Sequence, residues 1–338
     1  MKKLESLAIV GATGLVGQTF LDLLNEGFFP GVNIYLVASK KSKGKEIQVR
    51  GKNHIVSSLE EFDFSSIDLA FFSAGATTAE IYAPKAVKQG CVVIDNSSFF
   101  RYKEDVPLIV PEVNASDLKK NSSGGLIANP NCSTIQMLTA IKPIHDEFII
   151  ERIDITTFQA VSGTGKEAEK ELISQSSSKF TDVNLKLNVN VYKKPIAFNV
   201  IPECGEFQEN RYTEEEMKLV WETKKIMDSS IQVNATCVRV PVINGHSESI
   251  HLKTKKDINL DKVLEILKNK EGLSVFYGKG PDDYPTPLTD SNGKNNVFVG
   301  RLRKDLWDEN RLNLWVVADN LRKGAALNSF QIAKLLFH

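Results

Sequence analysis

The sequence predicts an α/β protein of two domains, in which a doubly wound parallel sheet is followed by an α+β domain with a largely antiparallel sheet. Short apolar strands alternate with helices through residue 131, which is the pattern of a parallel sheet. A glycine-rich turn joins the first strand to the first helix. Later strands follow one another with few helices between them. We therefore predict domains at 1–131 and 132–319, with a C-terminal helix in 320–338 completing the first domain.

The first strand, residues 7–10, leads into a turn at 11–17 that reads G-A-T-G-L-V-G, and then into an amphipathic helix. Glycines at such a junction let the backbone turn tightly and approach a pyrophosphate, while the helix N-terminus supplies positive potential. The spacing is G-x-x-G-x-x-G rather than G-x-G-x-x-G, and a simple tight turn is the alternative. The position at the first strand-to-helix junction favours dinucleotide binding in a Rossmann-type domain.

A loop rich in lysine and serine follows the second strand, residues 33–37, where an NAD-selective site places an acidic residue. The loop contains Ser39, Lys40, Lys41 and Ser42. Hydroxyl and ammonium groups suit a 2′-phosphate, so the sequence favours NADP over NAD. A solvated basic loop is the alternative interpretation.

Two further strands of the parallel sheet are predicted at 67–72 and 91–94, with a helix between them. The small residues 73–75 follow the first of these strands. Arg101 lies beyond the C-terminal end of the second strand, at the edge where such sheets bind ligands. It is either an anion clamp or a surface arginine.

Cys132 is the candidate nucleophile. It follows a short apolar strand and a turn fixed by Pro130, and it precedes a run with helical periodicity. At a helix N-terminus the unsatisfied N–H groups and the helix dipole favour thiolate over thiol, and the same groups can donate hydrogen bonds to an oxyanion. A small apolar residue that fills space at a tight turn is the alternative.

The second domain is predicted from several strands with few helices between them. These strands lie at 152–158, 233–242, 248–254, 296–302 and 311–317. Helices are predicted from Lys166, after the capping residue Thr213, and over 327–337. We expect the last helix to pack on the first domain, the segment 184–190 to form a surface loop, and 196–202 to be extended.

Four polar residues of this domain are candidates for a site. Arg239 alternates with apolar neighbours and points away from their face, and His246 lies on a glycine-containing turn. A lone histidine is structural unless a partner is found. Glu215 and Lys218 are three residues apart on one helical face, as a surface ion pair or a substrate-facing pair.

Composition excludes several classes of partner. Lys plus Arg equals Asp plus Glu, at 42 each, so no overall charge favours nucleic acid or an anionic membrane. The four cysteines are far apart, without a C-x-x-C pair or a Cys/His cluster, and predict neither a disulfide framework nor a metal site. No signal peptide or long apolar stretch is present. We expect a cytoplasmic protein.

Five motifs, taken together and in order, resemble the aspartate-semialdehyde dehydrogenase family. They lie at 11–17, 129–134, 159–163, 245–246 and 318–326, and the resemblance covers nearly the whole chain. It implies NADP-dependent reductive dephosphorylation of L-aspartyl-4-phosphate to L-aspartate-4-semialdehyde, in the biosynthesis of lysine, threonine and methionine. The small-molecule partners it implies are these two compounds and inorganic phosphate.

The resemblance also implies roles for the candidate residues. Cys132 is the nucleophile that carries a thioester, His246 the general acid/base, and Gln159 the residue that orients the nucleophile. The implied substrate and phosphate contacts are Asn131 for the oxyanion and phosphate, Arg239 for the α-carboxylate, Glu215 for the ammonium, and Lys218 and Arg101 for phosphate. The acidic run 214–216 leaves the register of Glu215 open to a one-residue slip.

NADP is the implied cofactor, and a homodimer formed through the second domain's sheet is implied as well. The expected cofactor contacts are Gly11, Ala12, Thr13, Gly14, Leu15, Val16, Ser39, Lys41, Ser42, Ser73, Ala74, Gly75, Ser162, Gly163 and Asn320. Many relatives carry an arginine in the loop 39–42. Lysine cannot form the same bidentate, stacked contact, so the strength of discrimination against NAD is left open.

Two alternative functions are considered, of which only the second belongs to a different class. N-acetyl-γ-glutamyl-phosphate reductase shares the fold plan and the cysteine chemistry, but its acylated substrate offers no ammonium group to Glu215. A non-catalytic nucleotide-binding relative is the other, and it needs none of Cys132, Gln159, Arg239 and His246.

Overall fold

The computed structural model describes residues 3–120, 124–181, 187–278 and 280–337. Part of the predicted loop 184–190 lies outside these residues. The chain divides into two compact units. The first comprises residues 1–131 and 325–338, and the second comprises residues 132–324. The division at 131/132 coincides with the predicted one, and the second division falls five residues after the predicted residue 319.

The described residues form strands and helices at the following positions. The strands are β1 Ser6–Val10, β2 Asn33–Ala38, β3 Glu46–Val49, β4 Lys52–Ile55, β5 Ser57–Ser58, β6 Leu69–Phe72, β7 Val92–Asp95, β8 Leu126–Ala128, β9 Ile150–Gln159, β10 Gln232–Arg239, β11 His246–Thr254, β12 Leu273–Val275, β13 Val297–Lys304 and β14 Arg311–Ala318. The helices are α1 Leu15–Asn25, α2 Ala76–Lys88, α3 Pro111–Asn114, α4 Cys132–Phe148, α5 Lys166–Thr181, α6 Glu214–Ile226, α7 Leu260–Lys268 and α8 Leu327–Leu336.

The first unit is built on a parallel sheet, as predicted. Its six described strands have the order β5-β2-β1-β6-β7-β8, and every pairing is parallel. All residues of β1 and β6 are buried, as expected for strands covered on both faces. The carboxyl ends of β1, β2 and β6 therefore meet at one edge, and this edge carries the glycine turn.

The C-terminal helix α8 packs in the core of the first unit, as predicted. Phe330 of α8 contacts Phe20 of α1 and Phe71 of β6, with ring centroids 5.3 and 5.0 Å apart. Phe20 and Phe71 themselves stack at 4.6 Å. Buried aromatic rings contribute large apolar areas, so this cluster fixes the chain terminus to the sheet.

The second unit contains a mixed, mostly antiparallel sheet, which confirms the predicted class. Its described strands have the order β10-β9-β11-β14-β13-β12. β9/β10 and β12/β13 pair in parallel, and the other pairs are antiparallel. α4 lies against β9, β11, β13 and β14, and α6 lies against β10. Alternate residues of these strands therefore face α4 and α6.

Three details of the second unit differ from the predictions. The segment 196–202 is not extended: it turns at Phe198, whose φ is +56°, and only Ile201 forms a bridge, with Arg239. His246 is the first residue of β11 rather than part of a turn. Helix α7 was not predicted, although Asn259 caps its N-terminus. Side-chain capping is a local signal that sequence patterns do carry.

Within the part of the chain that the structure describes, no helix has both the length and the apolar character needed to cross a bilayer.

Candidate active site

Cys132 is the first residue of α4, which confirms the predicted position at a helix start. It is half-buried, and the rest of the first turn is buried. Gly324 lies next to Cys132, because a Cβ built on Gly324 would be 2.8 Å from the Cys132 Cβ. Only a glycine fits at that point without displacing the cysteine. The N–H groups of the first helical turn are donors of the kind that stabilise an oxyanion.

Gln159 is buried at the end of β9, and its amide nitrogen lies near three oxygens. Nε2 is 3.1 Å from Ser133 Oγ, 3.3 Å from Thr157 Oγ1 and 3.2 Å from Glu215 Oε1. Ser133 directly follows Cys132 in α4. Gln159 therefore links the start of α4 to the carboxylate of Glu215 on α6.

The structure resolves the register of the acidic run 214–216. Glu216 forms a capping box with Thr213 and also accepts a hydrogen bond from the N–H of Cys237 at 2.9 Å. Its carboxylate is therefore occupied by structural hydrogen bonds. Glu215 accepts from Gln159 through one oxygen and lies 3.2 Å from Lys218 Nζ through the other. Lys218 also pairs with the more exposed Glu214 at 3.1 Å. Glu215 is therefore the carboxylate that faces Gln159.

The peptide groups of Ala160 hold two of the predicted site residues. Its N–H donates to His246 Nδ1 at 3.0 Å, and its carbonyl accepts from Arg239 Nη1 at 2.7 Å. A ring nitrogen that accepts a hydrogen bond carries no proton. Neutral His246 therefore bears its proton on Nε2, and this nitrogen has no hydrogen-bond partner among the described residues.

Burial keeps the His246 ring uncharged. The side chain is inaccessible to solvent, and burial, assisted by the Arg239 guanidinium, lowers the pKa of His246 to about 3, against a small opposing effect of Glu215. A charged ring would also place an Nδ1 proton against the N–H of Ala160. Arg239 lies on the buried face of β10, and its Nε has no hydrogen-bond partner in the described parts of the chain.

The turn after Gln159 lies against these two side chains. A Cβ on Gly163 would lie 3.2 Å from Arg239 Nη1 and 3.2 Å from His246 Cε1, so this position requires a very small residue. Asn320 accepts the N–H of Gly245 at 2.8 Å and donates to Ser162 Oγ at 2.9 Å. The buried Ser162 and Asn320 thus tie the turn to the residue that precedes His246.

The glycine turn of the first unit has the geometry required to approach a dinucleotide. Gly11 has φ +92°, and a Cβ there would lie 2.7 Å from the Ser73 carbonyl oxygen. A Cβ on Gly17 would lie 2.1 Å from the Gly11 oxygen, so α1 packs closely on the turn. Gly14 caps α1 without any side chain, and the first turn of α1 contains no acidic residue. An anion can therefore approach this helix start. The other loop residues of the predicted set are Ala12, Thr13, Leu15 and Val16.

The other predicted cofactor residues of the first unit border the same sheet edge. Lys41 and Ser39 are exposed in the loop after β2, whereas Ser42 is buried. Ser73 directly follows β6 and donates to the Val10 carbonyl at 3.1 Å. The neighbouring Ala74 and Gly75 precede α2, and Gly75 has φ +87°.

Arg101 and Asn131 both belong to the first unit and are both buried. One nitrogen of the Arg101 guanidinium donates to the Asn96 carbonyl at 3.0 Å. Asp95 lies close by, and burial raises the pKa of its carboxyl while Ser97 and Arg101 act in the opposite direction. Arg101 is thus a structured arginine rather than a surface one.

Sequence reasoning did not single out Ser133, Thr157, Ala160 or Gly324. Ala160 acts through its backbone, which no residue pattern reports. Gly324 lies within the motif 318–326. A glycine is needed there because a larger side chain would collide with Cys132, so the motif did contain a signal for this residue. No group of three or more His, Cys, Asp or Glu side chains in the described ranges is arranged to hold a metal ion.

Comparison with known proteins defines the class. The model of the semialdehyde dehydrogenase NAD binding domain matches residues 6–121, and that of the semialdehyde dehydrogenase dimerisation domain matches residues 141–323. Both parts of the chain therefore match semialdehyde dehydrogenases, and the chain belongs to this class of enzyme.

Individual relatives narrow this class. The chain is 50% identical to an aspartate-semialdehyde dehydrogenase from Legionella pneumophila, over 99% of this chain and 96% of the relative. Aspartate semialdehyde dehydrogenase II from Vibrio cholerae, in a crystal structure described as complexed with ASA, has a TM-score of 0.95 at 47% identity, covering 99% and 98% of the two chains. The enzyme from Candida albicans, solved with NADP, has a TM-score of 0.76 at 27% identity, covering 99% and 98%. The chain belongs to the aspartate-semialdehyde dehydrogenase family.

Proposed function

We propose that this protein catalyses the NADP-dependent reductive dephosphorylation of L-aspartyl-4-phosphate to L-aspartate-4-semialdehyde, in the biosynthesis of lysine, threonine and methionine. The observation that carries the proposal is the convergence of side chains on residues 159 and 160. Gln159 joins the start of α4 to Glu215, and Ala160 holds both Arg239 and His246. A nucleotide-binding module needs none of these contacts, whereas covalent acyl transfer uses all of them.

In the proposed mechanism the Cys132 thiolate attacks the acyl carbon of aspartyl phosphate. A C–S bond forms, the C–O bond to phosphate breaks, and phosphate leaves with the bonding electrons, which produces a thioester on Cys132. Negative charge develops on the carbonyl oxygen in the transition state. N–H groups at the start of α4 and the Nε2–H of His246 are the donors that stabilise this oxygen. Asn131 is proposed to contribute to the same environment.

Bound NADPH supplies the hydride that reduces the thioester, and the glycine turn with the loop 39–41 would hold it. The resulting thiohemiacetal oxyanion on Cys132 re-forms a carbonyl and expels the thiolate, so the aldehyde is released and the nucleophile is regenerated. His246 is proposed to act on this oxygen as a hydrogen-bond donor through Nε2–H, because its Nδ1 already accepts from Ala160. In the oxidative direction the same donor polarises the aldehyde before the thiolate attacks.

Substrate recognition is assigned to the charged residues of the site. Arg239 is proposed to bind the α-carboxylate, because one guanidinium nitrogen is anchored on Ala160 while its buried Nε keeps a hydrogen bond to offer. Glu215 is proposed to receive the substrate ammonium. Lys218 and Arg101 are proposed phosphate contacts. A carboxylate in this position favours a free amino group over the N-acetylated substrate of N-acetyl-γ-glutamyl-phosphate reductase.

The test is NADP reduction that depends on phosphate, measured with aspartate semialdehyde and with N-acetylglutamate semialdehyde in parallel. We expect turnover with the first substrate and at least about 100-fold lower kcat/KM with the second, because the acetylated substrate offers no ammonium group to Glu215. Preference for the acetylated substrate would contradict the substrate assignment. Phosphate-independent turnover would contradict the acyl-phosphate chemistry.

We further propose that the protein works as a cytoplasmic homodimer. The match to a dimerisation domain over residues 141–323 supports the dimer, and the half-buried Phe158 and Trp315, 5.6 Å apart, lie on the sheet face that α4 leaves uncovered. None of the four cysteines, all within the described ranges, forms a disulfide, which is usual for a protein of a reducing compartment. Sedimentation of the purified protein at micromolar concentration tests the assembly, and a monomer would contradict it.

A further inference from the structure

The motif at 318–326 contains a buried aspartate, Asp319, that the proposed mechanism does not use. Asp319 directly follows β14, and the last residue of β14 pairs with His246 at the start of β11. Five residues further along the chain from Asp319, Gly324 lies next to Cys132. Asp319 therefore stands between the proposed acid/base residue and the segment that borders the nucleophile.

Both oxygens of the Asp319 carboxylate accept two hydrogen bonds. Oδ1 accepts from the N–H groups of Leu321 and Arg322, each at 2.9 Å. Oδ2 accepts from Asn244 Nδ2 at 2.7 Å and from the N–H of Gly293 at 2.8 Å. An aspartate carboxylate offers only acceptors, and donors approach it here from three separate segments of the chain. The surroundings are therefore built for a carboxylate at this position.

The contacts of Oδ2 reach the loop that leads to His246. Asn244 lies two residues before His246 and is held on further sides as well. Its Nδ2 also donates to Asn292 Oδ1 at 2.9 Å, and its Oδ1 accepts from Ser162 Oγ at 3.1 Å. The Asn244 side chain thus connects Asp319 to the backbone from which β11 begins.

The contacts on the other side of Asp319 reach the segment beside the nucleophile. Oδ1 caps the helical turn that begins at Arg322. The main-chain carbonyl of Asp319 accepts from the N–H of Gly324 at 3.1 Å. Since Gly324 leaves no room for a Cβ next to Cys132, a change in this turn moves backbone against the nucleophile.

We propose that Asp319 is a positioning residue that holds the loop before His246 and the turn carrying Gly324 in one fixed arrangement, and so sets the position of His246 relative to Cys132. The connection runs from the loop through Asn244 to the Asp319 carboxylate, and from the Asp319 carbonyl to Gly324. A displacement of about 1 Å between such groups can cost roughly 100-fold in rate.

The first test is Asp319→Asn, and its kinetic arm rests on the proposed function. The amide nitrogen of the new side chain must face two N–H groups that cannot accept from it, so the buried contacts on one side are lost. We expect kcat to fall by about tenfold or more. KM for aspartate semialdehyde should change by less than about threefold, because Arg239 is anchored on Ala160. An unchanged kcat would overturn the proposal.

A second variant breaks the same connection without altering Asp319. Asn244→Ala removes the donor to Oδ2 and leaves the contacts of Oδ1 in place. It should lower kcat by about threefold to tenfold. The double variant should fall no more than about twofold below Asp319→Asn, because the two residues share one connection. A loss equal to the product of the two single losses would overturn the proposal.

A matched control separates positioning from general stability. Asp305 accepts from the N–H groups of Trp307 and Asp308, at 2.9 and 3.2 Å, in the same way that Asp319 caps its own turn. It lies in the hairpin between β13 and β14, at the opposite end of β14. Asp305→Asn should lower the melting temperature without changing kcat. A fall in kcat as large as that of Asp319→Asn would also overturn the proposal.

The reactivity of Cys132 tests the proposal without any turnover. The rate of its alkylation by iodoacetamide, with the modified residue located by mass spectrometry, depends on the surroundings of the thiol. Asp319→Asn should change this rate by about threefold or more, whereas Asp305→Asn should leave it as in the wild type. Equal rates for Asp319→Asn and the wild type would overturn the proposal. If no aspartate-semialdehyde turnover is found, the proposed function fails while the alkylation rates still decide the role of Asp319.

Discussion

The backbone N–H of Ala160 donates to Nδ1 of His246 at 3.0 Å, and this single contact determines which nitrogen of the ring carries the proton. Because Nδ1 accepts, Nε2 carries the proton, and the neutral ring is a hydrogen-bond donor through Nε2–H. The same residue accepts from Arg239 through its carbonyl. Ala160, which directly follows β9, thus determines the tautomer of His246 and the position of Arg239, the proposed contact for the substrate carboxylate.

Replacement of His246 should change how stability depends on pH. The folded ring has a pKa of about 3, against an ordinary value of 6.5. Between these two pH values the unfolded chain therefore binds a proton on His246 that the folded chain does not. The wild type should therefore lose up to about 1.4 kcal/mol per pH unit below pH 6.5 relative to His246→Gln. Urea unfolding at pH 7 and pH 4.5 measures this. A stability difference between the two proteins that does not depend on pH would contradict the prediction.

Replacement of Cys132 should abolish turnover and leave cofactor binding intact. Without the thiolate no thioester forms, and losses of about 10,000-fold or more are typical when a covalent nucleophile is removed. Cys132→Ala should still bind NADP with an affinity within about threefold of the wild type, because the glycine turn is untouched. Fluorescence titration with NADPH measures the affinity. Cys91→Ala, at a buried position of the first unit, is the control for general effects of removing a thiol. Turnover of Cys132→Ala close to that of Cys91→Ala would contradict the covalent route.

Replacement of Arg239 by lysine should weaken substrate binding more than it slows the chemical step. A lysine has one ammonium group, so it cannot both donate to the Ala160 carbonyl and offer a planar pair of donors to a carboxylate. We expect KM for aspartate semialdehyde to rise about 10-fold to 100-fold while kcat changes by less than about threefold. Initial-rate kinetics at saturating NADP and phosphate measure both. An unchanged KM would remove Arg239 from the carboxylate role.

Replacement of Gly324 by alanine should lower kcat, because the new Cβ would lie 2.8 Å from the Cys132 Cβ and must displace it. A shift of the nucleophile by a few tenths of an ångström to 1 Å predicts a loss of about 10-fold to 100-fold. The rate of thiol alkylation should change with kcat, since both report on Cys132. Gly280→Ala is the matched control: a Cβ at Gly280 meets no atom within 4 Å, and the variant should behave as the wild type.

Much of this arrangement was predictable from sequence, and the reasons differ between features. Glycines with positive φ and a cysteine at a helix start leave direct signatures, because local backbone geometry restricts residue type. Glu215 was named from sequence, but the register within 214–216 stayed open, because it depends on which carboxylate the capping box and the N–H of Cys237 occupy. The tautomer of His246 depends on a partner 86 residues away in the chain, at Ala160. No local pattern contains such information.

The placement of the nucleophile at the first residue of the second unit has a consequence for how this activity is divided. Cys132, Gln159, Glu215, Arg239 and His246 all lie within residues 132–324, whereas the glycine turn and the loop 39–41 lie in the first unit. In the proposed assignment the acyl chemistry therefore draws mostly on the second unit, with Asn131 and Arg101 added from the first. Mutations confined to the loop 39–41 that shift the preference between NADP and NAD should therefore leave the groups proposed to form the thioester unchanged.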